Sequence, residues 1–193
     1  MPRLKAEQRR AQLLEVARSL FARSGFEATT TASIAHAAGV TEPILYRHFR
    51  GKQELFVAIV RSISQQTLEH FSQVLASTTD PAAQIRAIGQ ATPDHIRRHA
   101  DSYHVLHGAL ANLRDKRVAT VVREHYQKLD EFFAAIVRQG QESGAFRADI
   151  DPHAAACQFV FTGIGYAMIS LNVGTIDTKV IDGVIDSIVR GLR

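Results

Sequence analysis

The sequence predicts an all-α protein of about nine helices, with a small basic N-terminal body and a larger near-neutral helical bundle behind it. Apolar residues recur at three- and four-residue steps through almost the whole chain, and no alternating strand pattern of useful length interrupts them. Glycine, proline, Thr and Asp fall where those periodic segments begin and end. The charge is divided unevenly as well. Residues 1–52 hold nine Lys/Arg and four Glu, a net of +5, while the other 141 residues hold fourteen basic and fifteen acidic side chains, a net of −1. A basic end on a neutral body suits a polyanionic partner, nucleic acid or an anionic membrane surface, and a merely solvated basic surface is the competing reading.

Length and composition narrow the class. A chain of 193 residues has room for one medium or two small domains, and 46% apolar and 22% charged residues are those of an ordinary globular protein. The single Cys157 excludes an internal disulfide, and no charged, then apolar, then small-residue leader opens the sequence, so a cytoplasmic location is expected. The longest apolar stretch, Phe159 to Val173, is cut by Gly, Thr, Ser and Asn; it reads as a buried helix, with no membrane partner.

Leu13, Leu14, Val16, Ala17, Leu20 and Phe21 make an apolar stripe on a first helix from about Lys5 to Arg23, which Ser24-Gly25 ends. Thr30 caps a second helix, Thr31 to Ala38, whose small apolar face is Ile34, Ala35 and Ala38. Gly39-Val40 breaks that helix. Thr41 starts a third, to about Phe49, with Glu42 and Pro43 in its first turn, where the missing proline N–H has no intrahelical partner to lose. Gly51 stops it, and a long amphipathic helix follows from Gln53 to about Ser77, roughly 35 Å in length. Asp80-Pro81 and Thr92-Pro93-Asp94 read as two further starts, the second breaking the helix before it. Helical patterns then run from about Asp101 to Leu113, Asp115 to Ser143, Pro152 to Val173 and Ile176 to Leu192.

The two short helices joined at Gly39 form a candidate helix-turn-helix inside the basic segment. Leu45 and Phe49, four apart, anchor the later helix and leave its other face free. That face offers Glu42, Pro43, Ile44, Tyr46, Arg47 and His48, with Lys52 close behind: charge, hydroxyl, imidazole and apolar surface where a DNA groove is met. Arg47 is the best local base or phosphate contact, since a guanidinium bonds guanine in a bidentate way. Tyr46 and His48 have a second reading as fillers of the three-helix core beside Phe49. Glu42 also has two: an acceptor for a cytosine amino group, or a carboxylate that only complements the helix dipole.

The stretch TTTASIAHAAGVTEPILYRHFRGKQELF resembles the DNA-binding domain of the tetracycline-repressor (TetR) family. The likeness rests on Thr30, Ile34-Ala35, Ala38-Gly39-Val40, Leu45-Tyr46, His48-Phe49, and Lys52 followed by Glu54-Leu55-Phe56, and it covers about residues 7–67. It implies a helix-turn-helix DNA-binding domain over residues 1–51 and a helical ligand-binding and dimerisation domain over residues 52–193. It further implies that Thr30 and Thr31 contact phosphates, that Thr41, Glu42, Pro43 and Ile44 open the recognition helix, and that Tyr46, His48 and Lys52 grip the DNA backbone. Ile44 replaces a hydroxyl residue common in the family, which favours a thymine methyl as its partner. Ala32 replaces a long polar or basic one, which removes one base reader.

The C-terminal body carries no catalytic constellation, so neither enzyme activity nor a cofactor is expected: its serines lie outside any nucleophile-elbow pattern, and no phosphate-cradling Gly loop or two-cysteine metal motif is present. His95 and His99 lie one turn apart, as do His104 and His107; pocket-lining or surface histidines are preferred to a metal site. Phe71, His99, Tyr103, His107, Phe132, Ile136 and Phe161 are the candidate walls of an effector pocket for an apolar or aromatic molecule, with ordinary core packing as the competing reading. The last two helices, apolar on several faces and rich in Gly163, Gly165 and Ala167, read as half of a four-helix dimer interface, or else as the closing layer of the monomer core. A homodimer matches a palindromic operator with half-sites about 34 Å apart. The expected function is a dimeric repressor released from double-stranded DNA by a small effector, with residues 53–77 as the lever. The alternative is a small-molecule-binding or enzymatic helical protein whose N-terminal domain no longer binds DNA.

Overall fold

The computed structural model describes residues 5–174 and 176–193; Arg3, part of the basic segment, lies outside them. The described residues form nine α-helices and no strand. In α1 (Ala6–Ala28) the run is broken at Gly25, whose φ of 75° and ψ of 169° are open to glycine without a Cβ clash. α2 (Thr31–Ala37) starts at a reciprocal cap: the Thr30 hydroxyl accepts the Ser33 amide at 3.0 Å, and the Ser33 hydroxyl accepts the Thr30 amide at 3.1 Å. Gly39, at φ 67°, makes the turn into α3 (Glu42–Tyr46). That helix is shorter than the Phe49 end expected, because its last turn tightens: the amides of Arg47 and His48 bond the carbonyls of Ile44 and Leu45, three residues back.

The remaining helices are α4 (Lys52–Leu75), α5 (Pro81–Arg98), α6 (Ala100–Leu110), α7 (Lys116–Glu142), α8 (Pro152–Asn172) and α9 (Thr178–Leu192). The break expected at Thr92-Pro93-Asp94 is absent, since α5 runs straight through Pro93. Proline removes one intrahelical bond, the one to the carbonyl of Gly89. Burial of Pro93 and Ile96 holds the helix together there, and the Thr92 hydroxyl donates to the Ile88 carbonyl at 2.7 Å.

The chain folds into two compact units, divided in space rather than at one point in the sequence: residues 1–64 with 101–123, and residues 65–100 with 124–193. In the first, Leu13 and Phe21 of α1, Ile34 of α2, Leu45, Phe49 and Phe56 are all buried. The rings of Phe21, Phe26 and Phe56 meet at centroid distances of 5.0–5.7 Å. Each such side chain is worth about 1.5–3 kcal/mol of burial. α6 is held in this unit by Arg18 donating to the Ser102 hydroxyl at 3.5 Å, and the turn after it by Gln53 donating to Asp115 at 3.0 Å.

In the second unit α5 and α9 approach closely. A Cβ on Gly89 would lie 2.8 Å from Cγ1 of Ile185, and Arg86 donates to Asp186 at 2.7 Å. Phe71, Phe132, Phe133 and Phe159 form an aromatic cluster with centroids 5.4–5.8 Å apart. The buried helix expected for the Phe159–Val173 stretch is only half so. Ala155, Ala156, Phe159, Val160, Tyr166 and Ala167 face inward, but Phe161, Met168, Ile169 and Val173 are exposed, together with Val180 and Val184 of α9. By length and composition α8 passes as a membrane span, with a mean hydropathy of 1.5, yet six of its residues are anchored in this unit.

Gly140 is the tightest point: a Cβ there would stand 2.0 Å from Cδ2 of the Phe146 ring. Gly140→Ala is expected to cost about 1–3 kcal/mol through overpacking, read as a lowered urea midpoint with the m-value unchanged.

Candidate nucleic-acid interface

The recognition helix α3 is five residues long and is held from outside. Leu45 and Phe49 plug it into the core of the first unit, and Arg10 lies over the Phe49 ring at 4.9 Å. Gln12 of α1 donates to the Ala38 carbonyl at 3.2 Å, which fixes the turn between α2 and α3. On the other side, Thr31 donates its hydroxyl proton to the Glu42 carboxylate at 2.7 Å. The Tyr46 hydroxyl lies 3.2 Å from the same threonine oxygen, and since that threonine's one proton goes to the carboxylate, the phenol is the donor. A chain from Tyr46 through Thr31 to Glu42 therefore joins the first turn of α2 to both ends of α3.

This geometry separates the candidate residues. Thr30, Thr41, Pro43, Tyr46 and Arg47 are exposed; Thr31, Glu42, Ile44, His48 and Lys52 are half-buried. Tyr46, at 51% exposure, is no core filler. Glu42 holds a hydroxyl from its own unit. Lys52 is also engaged: its ammonium donates to the carbonyls of Phe26 at 2.9 Å and Glu27 at 3.2 Å, lies 4.4 Å from the Phe26 ring centroid, and stands 3.9 Å from the Glu27 carboxylate. It closes the end of α1. The sequence pattern named Lys52 for the DNA backbone and did not foresee these partners, which belong to residues 25 and 26 positions earlier. Ser33 was also missed, although its place three residues after Thr30 is the capping spacing.

The effector candidates fall in both units. In the second unit Phe71 and Phe132 are ring neighbours at 5.8 Å, Ile136 is buried, His99 is exposed at the end of α5, and Phe161 faces outward at 68% exposure. Tyr103 and His107 belong to the first unit, one turn apart on α6. Burial pushes the Tyr103 phenol up, and burial with the nearby His104 pulls His107 down. The second unit also holds a stack outside that set: the rings of His70 and His95 lie 4.1 Å apart at 10°, and His95 meets His99 at 4.6 Å. Among the described residues no three His, Cys, Asp or Glu side chains are placed to share a metal ion. Buried atoms without a hydrogen-bond partner include Nε2 of His70, Oε1 of Gln84 and Nδ1 of His125.

A basic unit that presents a short exposed helix across a glycine turn defines a helix-turn-helix DNA-binding protein. Comparison with known proteins agrees. Residues 13–59 match the profile of bacterial regulatory proteins of the tetR family, and residues 78–164 match that of the tetracyclin repressor-like C-terminal domain. The chain belongs to the TetR family of transcriptional regulators. It is 27% identical over 143 residues to the transcriptional repressor KstR2 of Mycobacterium tuberculosis, covering 74% of this chain and 72% of that one. The KstR2 structure, described as a ketosteroid transcriptional regulator, superposes with a TM-score of 0.72 at 23% identity over 97% of this chain and 96% of that one. The transcriptional activator FasR of Mycolicibacterium smegmatis is 35% identical over 104 residues, 54% of this chain and 48% of FasR. A TetR-family regulator from Agrobacterium tumefaciens shares the fold at a TM-score of 0.82 and 19% identity, covering 97% and 99% of the two chains. The family is non-enzymatic, and this chain is a DNA-binding regulator within it.

Lys52→Ala is expected to lower stability by about 1–2 kcal/mol, a charge-assisted pair of hydrogen bonds discounted for partial exposure, as read by urea denaturation. A second expectation concerns pH. Burial, then the charges of His70, His99 and Arg98, brings His95 down to about 4; burial, then Lys128, does the same for His125. Below 6.5 the unfolded chain takes up protons that the folded chain refuses, so stability falls as pH drops from 6.5 towards 4, by up to about 1.4 kcal/mol per unit for each residue. Denaturation midpoints at pH 7 and pH 5 check this, and His125→Gln should flatten the difference.

Proposed function

We propose that the protein is a dimeric repressor that binds a palindromic operator through paired α3 helices and leaves it when a small effector binds. The observation that carries the DNA reading is the Tyr46–Thr31–Glu42 chain, which orients an exposed phenol and the capped start of α2 on one side of α3. In this reading the Thr30 hydroxyl, the backbone amide of Thr31 at the start of α2 and His48 meet phosphates, and Tyr46 joins them by turning its one phenol proton from Thr31 to the DNA, while Thr41, Pro43, Ile44 and Arg47 face the groove and Glu42 sets their register. Lys52 has one ammonium proton left for a phosphate after its two carbonyl bonds. A DNA partner also supports a cytoplasmic location.

The exposed apolar side of α8 and α9 supports the dimer. Phe161, Met168, Ile169, Val180 and Val184 lie on these two helices, and a Cβ on Gly163, Gly165 or Gly183 would meet no atom within 4 Å. A surface of this kind on a folded chain marks an association site. The effector reading rests on the second unit, where His70, Gln84 and His125 hold buried polar atoms without partners and the His70 ring lies 6.0 Å from Phe71 of the aromatic cluster. Each such atom costs about 1–3 kcal/mol until something bonds it. That composition suits a largely apolar effector carrying a few hydrogen-bonding groups, consistent with the ketosteroid named for KstR2. Repression rather than activation follows KstR2, the relative matched over more of its length than FasR. Release requires the effector to favour a conformation whose half-site spacing no longer fits.

Selection from a random duplex pool should return a palindrome with half-sites about one DNA turn apart. Arg47→Ala should weaken that complex by about 1–3 kcal/mol and relax preference at one base pair. Phe161→Glu should shift sedimentation from dimer to monomer and abolish tight binding. Absence of salt-dependent binding to every duplex would remove the repressor reading.

A further inference from the structure

The first unit is more basic than the N-terminal segment alone. Its fourteen Lys/Arg against seven Asp/Glu give +7, and the second unit's nine against twelve give −3. Residues 101–123 contribute four basic and two acidic side chains to that total. Three of the four, Arg114, Lys116 and Arg117, stand within four residues of one another where α6 passes into α7. All three are exposed, and none has a carboxylate partner among the described residues. The acid in their midst, Asp115, is already occupied. Its Oδ1 accepts the amides of Arg117 at 2.8 Å and Val118 at 3.3 Å, and its Oδ2 accepts from Nε2 of Gln53 at 3.0 Å.

Position and energetics both count against an incidental surface. Gln53 is the second residue of α4, and Gly51 and Arg50 immediately precede that helix, so the Gln53–Asp115 bond ties the three cations to the point where the chain leaves the recognition helix. Chain continuity keeps their backbones within about two residue spacings of Asp115, roughly 8 Å. Lys116 and Arg117 also occupy the first turn of α7, where the helix dipole is positive and a cation is unfavourable. Helix formation therefore does not explain them. A polyanion reached from the same unit as the recognition helix does.

We infer that Arg114, Lys116 and Arg117 form a second phosphate-binding patch on duplex DNA, one that adds affinity for any sequence without reading bases. The inference rests on the DNA-binding reading above and extends it to residues outside the helix-turn-helix. Each phosphate neutralised releases counterions, which steepens the dependence of log affinity on log salt by about 0.9.

The test uses the full chain, wild type and the combined variant Arg114→Ala, Lys116→Ala, Arg117→Ala, titrated with the selected operator and with an unrelated duplex over a range of salt. The patch predicts a slope shallower by about 2 to 3 for each bound protomer, and so by about 5 for a dimer on the operator. Affinity for both duplexes should fall by the same factor, base preference should stay as it was, and the thermal midpoint should be unchanged or higher because unfavourable charges leave the start of α7. A charge-matched variant in the second unit, Arg97→Ala, Lys128→Ala, Arg190→Ala, should keep the wild-type slope. Equal slopes for wild type and the turn variant overturn the patch, as does an equal loss in the charge-matched control. A wild-type protein that binds no duplex in a salt-dependent way removes the DNA reading and the patch together.

Discussion

The recognition helix is too short to exist by itself. Five residues cannot recover the cost of nucleating a helical turn, so α3 has its shape only because neighbours impose it. Leu45 and Phe49 fasten one side to a packed core, Gly39 sets the angle of approach, and Thr31 holds Glu42 and Tyr46 from the other side. Most of the first unit serves that constraint. Gln12 secures the end of α2, Arg10 covers Phe49, and Lys52 closes the end of α1 beneath Phe26. Among the candidate residues, Thr41 and Arg47 are exposed and make no side-chain hydrogen bond among the described residues, and Thr30 keeps its hydroxyl proton beside the cap, so these three are free to meet a partner.

The second unit solves a different problem. Its aromatic cluster and the close α5–α9 contact at Gly89 supply stability, while one side of α8 and α9 stays uncovered. Net charge follows the same division. The unit that carries α3 is strongly positive and the other is slightly negative, so electrostatic attraction to a polyanion is concentrated where the recognition helix is.

Local signals made much of this legible. Helices bounded by Gly25, Gly39, Pro81 and Pro152 stand close to where the sequence puts them, because capping and dihedral restriction act within a few residues. Pro93 is the exception: its local preference for a break is overridden by burial in a packed helix, which no window of sequence displays. The candidate site divides the same way. Thr30 and Gly39 are visible as cap and turn, but nothing nearby in sequence announces that Lys52 reaches the carbonyls of Phe26 and Glu27, that Asp115 meets Gln53, or that Phe161 faces outward. The unpartnered atoms of His70 and His125 were equally invisible, since the absence of a partner is a property of the whole neighbourhood.

From the sequence alone come the all-helical class, the basic N-terminal segment, the glycine turn and the family, since periodicity, charge and short-range backbone preference are written residue by residue. The tertiary structure decided which polar groups are spent on the scaffold and which remain available, that residues 101–123 join the basic unit, and that α8 keeps an apolar side open. Those outcomes depend on contacts between residues 11 to 100 positions apart, whose energies are set by packing geometry rather than by local composition.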